Sequence, residues 1–402
     1  MTFVPSWQNC PLNSYYTINR ILLLCIGLWP FQKSISKHVA IALVTIILAF
    51  SVIFQLTTFI TTKYNIDILL RVLTYTIPWL AYMLKYNAQC LNIKRIRSIM
   101  ERVLYDWKEL SNAQEIEIIK EYADIGRFIT LLTTLTIYIG VFSFIVIQFL
   151  PNILQAIISS KNNTDSRQLP ILIECFIDQQ KYFFLLLLAI FFCVACGLTT
   201  VAATETLVMS YVHHACGLFE IASYRIERAL FKDTAKDITS STQRSSIICQ
   251  GIINGFTMYK RAIEFIDMIQ ITYKWAYSIL LPLGVLSLSV NLFTFSRLVI
   301  SKEYYNMCIS FMFIFGHFGY MLFTNYLGQK IIDHSSNVFH RLYNVQWYVA
   351  PLKAQKLLLL LMQRSIRNCT IVVDGLFISS FEGFATLAST SISYFAVIFS
   401  LF

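Results

Sequence analysis

Seven stretches of this sequence stay apolar over the thickness of a lipid bilayer, and they constrain the fold more than any motif does. They run at about 39–60, 66–88, 128–150, 182–209, 271–295, 305–327 and 374–401. A helix needs about 20 apolar residues to cross a hydrocarbon core of about 30 Å. No water bonds the backbone there, so each segment must close its hydrogen bonds within itself as a helix. The expected fold is an all-α membrane protein with seven transmembrane helices, a single domain over 1–402. Only 13% of the residues are charged and 56% are hydrophobic, whereas soluble domains carry about 25% charged residues. A net charge of +10 accompanies this. It does not indicate nucleic acid, because the basic residues gather in particular loops; the expected surroundings are the lipid bilayer.

That clustering gives an orientation. Segments 1–38, 89–127, 210–270 and 328–373 hold 23 of the 32 Lys and Arg residues, against six in 61–65, 151–181 and 296–304. Basic loops stay in the cytosol, so the N-terminus is expected inside and the C-terminus outside. The glycosylation acceptor at Asn162 (Asn-Asn-Thr) lies in a segment of the outer set, in agreement. A second acceptor, Asn368-Cys369-Thr370, falls inside and is expected to stay unused. This orientation is opposite to that of G-protein-coupled receptors. The N-terminus lacks a basic start and a small-residue cleavage site, so no cleaved signal peptide is expected. Segments 89–127, 210–270 and 328–373 carry apolar residues at helical spacing among many charges. They read as cytosolic helices that continue the spans.

The polar residues inside spans are few. Asp67 and Arg71 lie four apart on one helix face and either pair or snorkel separately. Glu205 and Lys274, near the inner ends of spans four and five, present the same choice. Pro78 and Pro282 are candidates for kinks. The last span has its own pattern. Thr386, Thr390, Ser393, Val397 and Ser400 recur at spacings of four and three, one narrow stripe of small or hydroxylated residues. Such a stripe either packs tightly on another helix or faces water in a pore lined by several copies.

Nothing supports catalysis. The sequence has no phosphate-binding loop, no GxSxG, no HExxH and no dinucleotide fingerprint, so no enzyme and no cofactor is expected. Cys193 and Cys196 form a CxxC inside an apolar span, where they read as buried small hydrophobes. His213 and His214 are adjacent and point in different directions on a helix, which is poor geometry for a metal. Spans two to six are rich in Phe, Tyr, Leu and Ile, a lining suited to a small apolar ligand.

Four groups of residues resemble the insect odorant receptor family, and the likeness runs nearly end to end. They are Asn19…Gly27-Leu28-Trp29-Pro30; His214-Ala215-Cys216…Phe219-Glu220-Ile221…Arg225; Ala262-Ile263-Glu264-Phe265; and a C-terminal block. That block contains Tyr343-Asn344…Trp347-Tyr348…Pro351, Gln355-Lys356-Leu357-Leu358, Gly375, Phe384 and Ser393-Tyr394-Phe395-Ala396-Val397. The resemblance implies a subunit of an odorant-gated, non-selective cation channel. Four subunits would surround a central pore lined by the last helix of each, with the cytosolic helices forming a shared anchor. It favours the pore role for the Thr/Ser stripe. It also implies hydrophobic gate positions at Val397 and Leu401, with the polar position at Ser400, where the co-receptor subunit has Gln. Asp374 and Glu382, the acids of the last span, either favour cations or pair with the anchor.

Departures from the family pattern are Tyr259 where many members have His, and Ser389 where many have Lys. The related gustatory receptors end in a Thr-Tyr…Gln-Phe pattern, against Ser393, Tyr394, Ser400 and Leu401 here; a gustatory-type channel is the first alternative, and a seven-span G-protein-coupled receptor the second. The 210–270 connection is shorter than that of the shared co-receptor. The resemblance therefore implies a ligand-tuned subunit, partnered with the odorant co-receptor in a heterotetramer, in the plasma membrane of olfactory sensory neurons. It also implies an odorant site in the outer half of spans two to six. By depth, the candidates for a small volatile hydrophobic ligand are Leu73, Thr76, Tyr138, Phe142, Ile145, Leu188, Phe191 and Phe311.

Overall fold

The structure, a computed structural model, describes residues 12–32, 35–61, 65–158, 178–179, 181–231, 241–375 and 377–401. Asn162 lies outside the described residues. The chain begins with short helices α1 (Leu12–Tyr15) and α2 (Thr17–Cys25), followed by α3 (Ile35–Leu56) and α4 (Thr58–Thr61). Then come α5 (Ile66–Leu91), α6 (Ile93–Glu109), α7 (Ala113–Ile158), α8 (Phe183–Phe231), α9 (Ser241–Ser301) and α10 (Tyr304–Asn344). A 3-10 turn (Trp347–Val349) leads to α11 (Leu352–Ser365), a two-stranded hairpin of β1 (Val372–Val373) and β2 (Phe377–Ile378), and α12 (Phe381–Leu401).

Six of these segments are long and apolar enough to cross a membrane: 35–60, 113–147, 183–230, 242–301, 304–344 and 381–401. The seventh helix of the set, α5, is more polar because Lys85, Gln89, Thr74 and Thr76 are buried on it. Neighbouring helices shelter those groups, so α5 does not need the apolar surface of a lipid-facing helix. α7, α8 and α9 have 46, 49 and 61 residues. At 1.5 Å per residue they run roughly 70–90 Å, more than twice a hydrocarbon core. Each apolar span therefore continues without a break into a charged extension. Pro78 and Pro282 sit inside continuous helices.

α8 shows the two environments on one helix. At its start Phe184, Leu185, Leu188 and Phe192 point out of the molecule. Further along, Ala202, Leu207, Tyr211, Ala215, Leu218, Ile221 and Ile226 are fully enclosed. They form the main core with α2, α7, α9 and α10. Apolar residues outward suit lipid, and apolar residues inward suit water. The adjacent histidines do point apart: His213 Nδ1 donates to Met209 O at 3.0 Å, while His214 Nε2 faces Asp106 at 3.2 Å.

The start of the last helix differs from the sequence-based boundary. Asp374 and Gly375 have φ of 52° and 72° and turn the hairpin, which pairs Val372 with Ile378 and Val373 with Phe377. Left-handed backbone is tolerated by Asp and Gly and ends helical geometry. α12 therefore begins at Phe381 rather than near Asp374.

Candidate functional site

α12 docks one face on the bundle and leaves the other bare. Gly383, Leu387 and Ser391 are buried. Leu387 packs with Val285, Leu288, Ile314 and Met321, while Phe395 and Ile398 rest against Leu70, Ile77, Val290 and Phe293. Midway, the hydroxyl of Ser289 on α9 donates to Ser391 O at 2.9 Å. The opposite face carries Thr386, Ser393, Val397 and Ser400, all exposed, with Thr390 half-buried. The stripe is thus not a packing seam within this chain. Its hydroxyls donate to their own helix: Thr386 to Glu382 O (3.0 Å), Thr390 to Thr386 O (2.7 Å), Ser393 to Ser389 O (2.9 Å) and Ser400 to Val397 O (2.8 Å). Their oxygens keep acceptor capacity outward, toward whatever faces the helix. Val397 and Leu401 are 54% and 71% exposed on this bare side. Of the two acids, Asp374 lies 3.8 Å from Lys274 of α9. Glu382 sits in the first turn of α12, where the helix dipole favours a negative charge.

The residues named for a ligand fall into three places. Tyr138 Oη and Thr199 Oγ1 share a hydrogen bond of 2.8 Å across α7 and α8. Phe191 meets Phe144 edge-on at 6.5 Å in the same seam, and Ile145 is half-buried on α7. Leu73 packs with the α5–α9–α12 cluster, and the Thr76 hydroxyl donates to Gln55 Oε1 of α3 at 2.9 Å. Phe142, Leu188 and Phe311 point outward, 67%, 66% and 58% exposed. Among the described residues the eight thus lie in separate places. A small cavity of about 20 Å³ lies among Tyr15, Tyr16, Trp107, Tyr122, Ser210 and His214. It has room for one water, and none of the eight lines it.

A polar seam runs along α9, at residues not among the sequence-based candidates. The Ser287 hydroxyl lies 2.7 Å from His317 Nε2, and His317 Nδ1 donates to Phe313 O at 2.7 Å. Because a carbonyl only accepts, Nδ1 carries the proton and Nε2 accepts from Ser287. Phe313 in turn stands edge-on to Tyr75 of α5 at 5.3 Å. Thr74 and Thr294 share a longer contact of 3.4 Å. The run Ser287, Ser289, Asn291, Thr294 inside an apolar span was the available signal, since small polar residues in such helices mark close neighbours.

The charged pairs also differ from expectation. Glu205 does not pair with Lys274; it pairs with Lys85 of α5, with side chains 4% and 7% exposed. Tyr277 Oη lies 3.2 and 3.3 Å from the Glu205 carboxylate oxygens, and Tyr320 Oη at 3.4 Å. The Lys85 ammonium sits 4.9 Å over the Tyr320 ring and 5.4 Å over Tyr277. Four helices meet in this cluster. Separation along α8 and α9 did not rule Lys274 out; the crossing of α5 behind them supplied a nearer cation. Arg71 pairs with Glu303, before α10, at 3.2 Å, and the Asp67 side chain lies outside the described ones.

The extensions are stapled by carboxylate–guanidinium pairs. Arg225 holds Glu115 with bonds of 2.9 and 2.7 Å. Arg341 bridges Glu220 and Glu227 of α8, and Arg261 grips Glu109. The hydrogen bonds from Arg261 hold the Glu109 carboxyl below its usual range. Burial pushes the pKa of His213 down, against the hydrogen bond to Met209 O that raises it.

Comparison with known proteins gives a consistent result. The sequence family described as 7tm Odorant receptor matches residues 65–392. Odorant receptor 49a of Drosophila melanogaster is 31% identical over 121 residues, 28% of this chain and 31% of that protein's length. The chain therefore spans about a third of the curated relative it matches. Two solved structures of the insect olfactory receptor OR5 from Machilis hrabei share the fold. The complex with eugenol superposes with a TM-score of 0.72 at 15% identity, covering 97% of this chain and 99% of that one. The second structure of OR5 gives 0.73 at 14% identity, with the same coverage.

Proposed function

The chain belongs to the 7tm odorant receptor family, and on that premise we propose that it is the ligand-tuned subunit of an odorant-gated, non-selective cation channel, working with an odorant co-receptor. It is a multi-pass membrane protein by its apolar helices and its family. The plasma membrane of olfactory sensory neurons is its proposed location. The observation that carries the reading is the bare face of α12. A helix packed on one side that presents Thr386, Thr390, Ser393 and Ser400 on the other needs water or further copies against it.

In this reading α12 faces a central pore shared with the partner subunits. The rings at Val397 and Leu401 close it by dewetting, and Ser400 lies between them in sequence as the polar position. The Lys and Arg bias supports a cytosolic N-terminus, which places the stapled extensions of α7 to α10 in the cytosol as the anchor. The ligand would be a small volatile molecule held largely by dispersion, as the apolar seams require. Tyr138, Ile145 and Phe191 at α7–α8, with Leu73 and Thr76 at α5, are the proposed contacts. Ser287 and His317 supply a polar contact between α9 and α10 among these apolar seams. The olfactory receptor OR5 of Machilis hrabei, similar in fold, was solved in complex with eugenol. The odorant acts by binding the open arrangement more tightly than the closed one.

The test is whole-cell current during an odorant panel, with this chain alone and with an odorant co-receptor. Fast cation current on co-expression alone, surviving G-protein block, supports the reading. Current that disappears with G-protein block would remove it.

A further inference from the structure

At the base of the last helix α10 presents one buried amide. Asn325 is 1% exposed. Its Nδ2 donates to Met321 O at 2.9 Å on its own helix, which fixes the side chain and aims Oδ1 outward. That oxygen accepts the Ser380 N–H at 3.1 Å. Ser380 caps α12, its Oγ accepting the Gly383 N–H at 3.0 Å. On either side, Gln329 Oε1 accepts the Phe381 N–H at 3.2 Å and the Ser379 hydroxyl donates to Thr324 O at 3.0 Å. Residues 379–381 are thus all bonded to α10 between Thr324 and Gln329.

The approach is close enough to exclude side chains. A Cβ on Gly328 would come within 2.1 Å of Ser379 O. A Cβ on Gly383 would meet Ile378 O at 2.3 Å and Asn325 Oδ1 at 3.0 Å. α9 meets the hairpin before this junction through longer polar contacts, Gln270 to the Val372 N–H at 3.4 Å and Lys274 to Asp374 at 3.8 Å, and holds α12 further up through Ser289 and Ser391 O at 2.9 Å. Higher on α10, Tyr320 meets Glu205, His317 meets Ser287 and Phe313 meets Tyr75. One helix therefore joins the polar seams of the bundle to the base of α12.

We infer that Asn325 is the positioning residue through which a displacement of α10 is delivered to α12. The inference rests on the pore reading of α12. Val397 lies 17 residues above Ser380, about 25 Å along a helix. A tilt of about 5° imposed at the base moves the Val397 ring by about 2 Å over that lever arm, enough to change a dewetted constriction. The hydrogen bonds fix direction as well as distance, which a purely apolar contact would not.

The test uses the full chain with its co-receptor, comparing Asn325→Leu, which keeps volume and loses the acceptor, with Asn325→Asp, which keeps an oxygen before the Ser380 N–H at the positive end of α12. Currents are recorded at rest and during volatile odorants beginning with eugenol, alongside surface labelling and hydrogen exchange of the purified protein. Asn325→Leu is expected to lower evoked current about 5- to 10-fold, or to shift resting current about as much where the panel evokes none, a coupling of ordinary allosteric size. Asn325→Asp should recover most of it, and the Ser380–Gly383 amides should exchange faster in the Leu variant alone. Unchanged currents at normal surface level overturn the inference. So do unchanged amides, because the anchor then does not depend on Asn325. Accelerated exchange in a protein with no current in any form removes the channel reading instead, and the coupling with it. If Asn325→Leu does not reach the surface, Gln329→Leu removes the neighbouring acceptor at a half-buried site. It is expected to lower current about 2- to 3-fold, as loss of one ordinary hydrogen bond allows, and no change there overturns the inference.

Discussion

Lys85 and Glu205 are oppositely charged, almost fully enclosed, and ringed by Tyr277 and Tyr320. A buried pair of this kind adds little net stability over an apolar pair of the same volume, but breaking it leaves one charge stranded. Lys85→Met should therefore destabilise the fold by about 3–5 kcal/mol, while the double variant Lys85→Met, Glu205→Leu should recover most of the loss. Thermal unfolding of the detergent-solubilised protein, with surface yield beside it, measures both. Equal loss in the single and double variants would show that the cluster is held by the tyrosines rather than by the pair. The residues themselves were visible in the sequence as ionisable groups inside spans. The partner was not, because Lys85 and Glu205 are 120 positions apart and meet only after α5 crosses α8.

At the scale of an element, α12 is a helix with two unlike sides. Its packed side is small near the base, with Gly383, Leu387 and Ser391, and aromatic higher up, where Phe395 stands against Phe399 and Phe399 against Phe293. Its bare side ends in Val397 and Leu401. Replacing both with Gly should widen an apolar constriction and raise resting current about 10-fold or more, equivalent to lowering a barrier by about 1.4 kcal/mol. Replacing Thr386 on the same side, nearer the base, should leave resting current within about 2-fold by the same scale. Patch recordings of the co-expressed channel make the comparison, and a leak that follows Thr386 rather than Val397 and Leu401 would move the gate. The periodicity that marked this helix was legible, since a face recurs every three to four residues. Its first turn was misplaced because hydropathy does not register the left-handed Asp374-Gly375 turn that precedes it.

For the whole molecule, apolar surface is turned outward along one half and inward along the other. α8 passes through both, from Phe184 and Leu188 outside to Leu207 and Ile221 inside. Such a body suits a membrane by one half and water by the other, and in the orientation proposed from the basic residues the watery half lies in the cytosol. Epitope tags placed before Leu12 and after the last helix should respectively be masked and accessible in unpermeabilised cells. An accessible N-terminal tag would reverse the orientation and return the chain to the topology of G-protein-coupled receptors.

The helical membrane class, the continuation of helices beyond the apolar stretches and the family resemblance follow from sequence, because hydropathy, charge and periodicity are local properties that each residue carries wherever it is placed. Which face of α12 is covered, that Glu205 meets Lys85 and not Lys274, that Phe142, Leu188 and Phe311 turn outward, and that Asn325 holds the base of the last helix were decided by tertiary structure. Each depends on the angle and register at which distant helices cross, and side chains 55 or 120 positions apart acquire a distance only when the chain between them has packed.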